Sequence, residues 1–116
     1  MAVILVFYTI IMGFLGEVPA LFVLNETIRN LYFHVTMWFC MMALLSVSVY
    51  HSIAYLVKPL YEKDLKAASF AGTGLFFGML GIATGSVWAR FTWGAWWVND
   101  PKLNGAAVSV LIYMAY

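Results

Sequence analysis

Charged residues are so sparse in this chain that they divide it by themselves. Residues 1–16, 30–57, 67–89 and 103–116 hold none of the eleven Asp, Glu, Lys and Arg side chains. A helix rises 1.5 Å per residue, so the run 30–57 reaches about 42 Å and the run 67–89 about 34 Å. Both exceed a hydrocarbon core of about 30 Å and can cross it with some tilt or overhang. The outer runs fall short of the roughly 20 residues that a crossing needs. Each is cut by a chain end with no cap or breaker there, so both are expected to be truncated spans. A signal peptide fits residues 1–16 poorly, for want of a basic leader and an A-x-A cleavage pattern.

Composition agrees. Apolar residues make up 65% of the 116 and charged residues 9%, where soluble domains have about 45–50% and about 25%. Six Lys+Arg against five Asp+Glu exclude a basic nucleic-acid reader and an acidic disordered tail. The single cysteine, Cys40, permits no internal disulfide, and no C-x-x-C-H motif offers covalent haem attachment. The expected fold is all-α: one incomplete polytopic transmembrane helix bundle over residues 1–116, in a lipid bilayer. About four spans are expected, near 1–16, 31–57, 67–89 and 104–116.

Three connections remain. Residues 17–29 carry Glu17, Pro19, Asn25, Glu26 and Arg29. Residues 58–66, KPLYEKDLK, read as a short polar turn. The longest connection, RFTWGAWWVNDPKLN, covers residues 90–104 and holds three tryptophans. Alternating spans place the first and third connections on one side and the lysine turn on the other. The density of Lys58, Lys63 and Lys66 favours a cytoplasmic turn and an external Trp loop.

Ionisable groups at membrane depth are costly and mark function by default. His34 and His51 both lie inside the second run. They stand about 25 Å apart along a continuous helix and about 100° apart around it, so they cannot share one metal. His51, near the lysine turn, reads as a snorkelling interfacial side chain. His34 lies on the side of the Trp loop, where an interfacial side chain and a ligand are both open readings. Trp93, Trp96, Trp97 and Asp100 are spaced by three and four, which in helical geometry is one face. Pro101 biases Asp100 away from the α region, so a helix there is expected to stop just before it. An aromatic belt and a platform for a flat apolar molecule both fit the tryptophans. Gly74, Gly78, Gly81 and Gly85 form a stripe whose default role is close helix packing, with a groove for a flat cofactor as the lesser option. Met37, Met41 and Met42 read as apolar filling in preference to haem ligands.

These residues also resemble a known family. WGAWWVNDPK is similar to the "WWD" signature of haem-handling proteins in cytochrome c biogenesis, close to W-G-x-W-W-x-W-D-x-[RK]. RNLYFHV resembles that family's R-x-x-Y-x-H-V-P, and GIATGSVWAR its G-x-x-T-G-[SA]-x-W. The three motifs follow in order over residues 29–102 and point to the N-terminal part of the CcmC type. The CcmF and CcsA types share the signature in larger proteins. The chain departs at Thr36, where the family has Pro, and at Asn99, where it has a third Trp.

The resemblance implies six transmembrane helices in a bacterial inner membrane, with the WWD loop, here residues 90–103, on the periplasmic face. It implies non-covalent haem b held by two axial histidines, of which His34 matches the first and the second lies beyond Tyr116. It implies Trp93, Trp96, Trp97 and Trp88 against the porphyrin. Arg90 and Lys102 are candidates for its propionates, and Asp100 is expected to orient a donor such as Arg90. The implied role is haem transport and transfer to a periplasmic chaperone of the CcmE type, without catalysis, beside an ABC transporter and small membrane subunits. Two competing readings remain: a b-type cytochrome electron-transfer subunit, and a structural membrane subunit with an interfacial Trp anchor.

Overall fold

A computed structural model describes residues 1–19, 22 and 25–116, and every regular element among them is helical. Helix α1 is Ala2–Leu15, a 3-10 segment covers Asn25–Arg29, and α2 is Asn30–Val57. Helix α3 is Tyr61–Trp93 and α4 is Pro101–Met114. Of the expected connection over residues 17–29, residues 20, 21, 23 and 24 lie outside the described ones. Two helical stretches, Glu26–Val57 and Tyr61–Trp93, are long and apolar enough to cross a membrane. Helices α1 and α4 have 14 residues each. They rise about 21 Å, less than the hydrocarbon thickness.

The lysine turn is shorter than expected. Pro59 pushes Lys58 into an extended conformation and ends α2. Helix α3 then begins at Tyr61, so residues 61–66 are its first turns and the connection contracts to 58–60. Glu62 and Asp64 sit in that first turn, where carboxylates favour the positive end of the helix dipole. Glu62 also pairs with Lys66 one turn on, at 2.6 Å. Lys63 reaches back and donates to the Ala54 carbonyl at the end of α2, at 2.8 Å. The charges mark the end of the apolar run but not the end of the helix.

Helices α2 and α3 pack antiparallel along two matched rows. Row one is His34, Trp38, Met41 and Leu45; row two is Gly85, Gly81, Gly78 and Gly74. A Cβ built on each glycine would meet the corresponding partner: Leu45 Cδ2 at 2.9 Å from Gly74, Met41 Sδ at 2.7 Å from Gly78, Trp38 Cε2 at 3.0 Å from Gly81, and His34 Cε1 at 2.7 Å from Gly85. The steps of four, three and four in one row meet the same steps reversed in the other. The packing role expected of the glycine stripe is what the geometry shows. One turn further, the buried Ser48 hydroxyl donates to the Ala67 carbonyl at 2.8 Å. Val110 of α4 closes the seam against Met41 and Leu45.

Around this seam little is buried. The Cα envelope measures 54 × 40 × 14 Å, a thin slab, and large apolar side chains along α1, α2 and α4 face outward. Lipid-facing helices look like this, because hydrocarbon asks no polar covering of the surface. At the other end of α1, Arg29 donates to the Gly16 carbonyl and holds Glu26 at 2.5 Å. Phe33 stacks on Phe14 at 5.0 Å. These contacts tie the end of α1 to the start of α2.

Candidate functional site

His34 occupies the second turn of α2, half-buried against α3. Gly85 opposite it has no side chain, which is the only way the imidazole fits so close. Its Nδ1 lies 2.9 Å from the Gly81 carbonyl oxygen and 3.2 Å from Thr84 Oγ1. A carbonyl only accepts, so Nδ1 carries the hydrogen and donates. Nε2 is left with its lone pair and with no hydrogen-bond partner among the described residues. This is the arrangement that prepares an imidazole to ligate a metal. Trp38 and Trp88 hold the ring edge-on from two sides, at centroid distances of 6.1 and 5.9 Å.

A cavity of about 560 Å³ opens beside this imidazole, within the range of small-molecule and cofactor sites. His34, Trp38, Trp88, Trp93, Trp97 and Lys102 are among the residues that line it. The walls are mostly apolar and aromatic, with one imidazole and one ammonium among them. A flat ring with an anionic edge matches that inventory. Trp88 Nε1 is buried and has no hydrogen-bond partner among the described residues.

The loop that brings these groups together is shorter than expected. Trp93 is the last residue of α3, and Gly94 stops the helix with φ of 78°. That left-handed conformation favours glycine. Its N–H bonds the Arg90 carbonyl at 3.1 Å. Residues 94–100 are irregular, and α4 starts at Pro101, a residue suited to a first helical position. Asp100 is extended, φ −109° and ψ 135°, as Pro101 leads one to expect, and the helix next to it begins after it instead of ending just before it. Trp97 Nε1 donates to Asn104 Oδ1 at 3.2 Å, and Asn104 Nδ2 donates to Asn99 Oδ1 at 2.7 Å. The amide at Asn99 thus helps to pin the loop.

Of the candidates from the sequence, the cavity gathers His34, Trp88, Trp93, Trp97 and Lys102. Trp96, Arg90 and Asp100 do not line it. Trp96 is 60% exposed. Asp100 caps α4, accepting from the backbone N–H groups of Lys102 at 2.8 Å and Leu103 at 3.3 Å. It does not orient Arg90, whose guanidinium donates to the Gly94 carbonyl. A helix N-terminus draws a carboxylate more directly than a cation committed elsewhere. His51 stacks on Phe70 at 5.8 Å with planes 6° apart, near the lysine turn. Trp38 and Thr84 are site residues that sequence reasoning missed. Trp38 stands four residues after His34, a spacing that signals a shared helix face. Thr84 is the threonine of the segment GIATGSVWAR that resembles G-x-x-T-G-[SA]-x-W, but nothing in that motif pointed to a contact with His34.

Comparison with known proteins decides the kinship. A family model described as Heme exporter protein C matches residues 1–116. The chain belongs to the Heme exporter protein C family. The Heme exporter protein C of Escherichia coli (strain K12) is 32% identical over 109 residues, covering 90% of this chain and 42% of that protein. That of Haemophilus influenzae is 29% identical over 105 residues, 86% of this chain and 41% of its own length. A Cytochrome c biogenesis protein CcsA from Prochlorococcus marinus (strain SARG) is 35% identical over 75 residues, 61% of this chain and 24% of that protein. The chain thus spans about two fifths of the Heme exporter protein C relatives it matches. No solved structure matches. Membership of the Heme exporter protein C family and the two long apolar helices make this a membrane protein.

Proposed function

We propose that this protein binds haem in cytochrome c maturation, with the cavity beside His34 as the haem site. The observation that carries the reading is the bonding of His34. Nδ1 is tied to the Gly81 carbonyl, and Nε2 is left free beside a tryptophan-lined cavity. The names of the relatives, Heme exporter protein C and Cytochrome c biogenesis protein CcsA, support the same process. The residues suit haem b, held non-covalently. Neutral imidazole ligates iron, indole faces receive the porphyrin, and Lys102 can pair with a propionate. Trp96 stands outside the cavity and meets the ring only if the loop over residues 94–100 moves toward it; Arg90, in the last turn of α3, also stands outside it.

Haem here is cargo, and the role is transport and transfer without catalysis. In this reading the chain is part of a six-helix bundle in a bacterial inner membrane, with the WWD loop on the periplasmic face. The second axial histidine comes from outside these 116 residues. A periplasmic haem chaperone of the CcmE type receives the haem, and an ABC transporter with small membrane subunits completes the complex. A b-type cytochrome would need two histidines facing one iron. His34 and His51, about 25 Å apart along α2, are not such a pair with each other.

The experiment is haem per mole of purified protein, read from the absorption spectrum, for the parent, His34→Ala and His51→Ala. The expected result is loss in His34→Ala and retention in His51→Ala. Equal loss from both substitutions would overturn the site, and absence of haem from the parent after reconstitution would overturn the function.

A further inference from the structure

The bond between His34 Nδ1 and the Gly81 carbonyl has a second acceptor beside it. Thr84 Oγ1 lies 3.2 Å from the same nitrogen. The Thr84 hydroxyl also lies 2.8 Å from the Leu80 carbonyl and 3.1 Å from the Gly81 carbonyl, the acceptors four and three residues back in its own helix. Its one hydrogen is therefore committed to α3, and what it offers His34 is lone pairs. Both contacts to Nδ1 then demand the same tautomer, with hydrogen on Nδ1. The branched Thr side chain has few χ1 choices in a helix, which keeps that oxygen in place. Thr84 is itself anchored: Asn30 Nδ2 donates to its carbonyl at 2.8 Å. Two residues one turn apart at the start of α2, Asn30 and His34, thus grip residues 81–84 of α3.

We propose that Thr84 is a positioning residue for His34, holding the imidazole as its Nδ1–H tautomer, with Nε2 free, before haem arrives. This rests on the haem reading above and adds how the ligand is prepared. A partner beyond the ligand fixes ring orientation and raises the basicity of the ligating nitrogen, and its loss costs about 10- to 100-fold in metal affinity. His51 is the internal control, since its ring stacks on Phe70 and neither nitrogen is hydrogen-bonded among the described residues.

The test begins without haem. Full-length protein labelled with ¹⁵N-histidine, in lipid nanodiscs at a pH where both imidazoles are neutral, gives two pairs of ring resonances. A His51→Gln variant identifies which pair is which. His34 should show one protonated Nδ1 and one bare Nε2, while His51 shows values averaged over both tautomers. Thr84→Val, which keeps the Gly81 bond, should move His34 part of the way toward that average and weaken haem affinity about tenfold; Thr84→Ser should restore both. An Nε2–H or averaged His34 in the parent overturns the proposal by itself, whatever the variants do. So does a Thr84→Val protein that matches Thr84→Ser in both readouts. A parent that binds no haem counts against the functional reading and leaves the tautomer measurement standing.

Discussion

The imidazole of His34 and the bare backbone of Gly85 share one space: a Cβ on residue 85 would lie 2.7 Å from Cε1 and 3.2 Å from Nδ1 of the ring. No real contact is that close, so Gly85→Ala must push the ring away from α3 and off its Gly81 bond. Haem affinity should fall about tenfold or more, as when a ligand loses its orienting partner. Gly105→Ala is the matched control, because nothing lies within 4 Å of a Cβ there. Titration of both variants with haem checks this; similar affinities would show that the ring does not depend on the glycine.

Gly78→Leu should break the seam. A Cβ there would already sit 2.7 Å from Met41 Sδ and 3.2 Å from Val110 Cγ2. Overpacking of this kind costs about 1–3 kcal/mol. The variant should melt earlier in detergent and give less assembled protein. Expression and melting like the parent would mean that the stripe does not carry the packing.

Replacing Trp93, Trp96 and Trp97 together with Ala should reduce haem retention while leaving membrane insertion intact. Stacking accounts for about 1 kcal/mol per ring contact. Single Phe variants separate face from N–H. Trp93→Phe should be tolerated, whereas Trp97→Phe also loses the bond to Asn104 and should loosen the loop. A triple Ala protein that inserts, holds haem like the parent and supports cytochrome c assembly would falsify the platform reading.

Asp100→Ala removes the cap of α4 and should cost about 1 kcal/mol of local stability, while Asp100→Asn should be nearly neutral. Hydrogen exchange at residues 102 and 103, whose N–H groups the carboxylate accepts, reads this directly. Faster exchange in the Ala variant alone is the expected pattern. If Asn fails like Ala, the charge matters and the cap is not the whole role.

The sequence made the two long helices legible because uncharged runs of that length have few other solutions in lipid. The expected span 31–57 agrees with α2, but α3 runs past both ends of 67–89 for one reason: charge marks where water begins, and a helix can continue into water. Glu62–Lys66 and Arg90–Trp93 are helical on that account. Three tryptophans and His34 were readable as one side of the molecule, and the cavity collects His34 with two of the three. What could not be read is pairing across the chain. Nothing local to Gly85 says that His34, 51 positions earlier, fills its space. Nothing local to Thr84 says that Asn30 bonds its carbonyl and His34 its hydroxyl oxygen.

The matched rows of α2 and α3 have a mechanical consequence. His34 is the last tooth of a rack whose other teeth are Trp38, Met41 and Leu45, each seated in its own glycine notch. The teeth are spaced like turns of a helix, so α2 cannot creep along α3 by a fraction of a turn without lifting all of them. The height of the imidazole is therefore indexed by contacts as far away as Leu45 and Gly74. A substitution deep in the seam can shift the ligand without touching the cavity, and a force that disengages the rack would release the imidazole from Gly81 in the same motion.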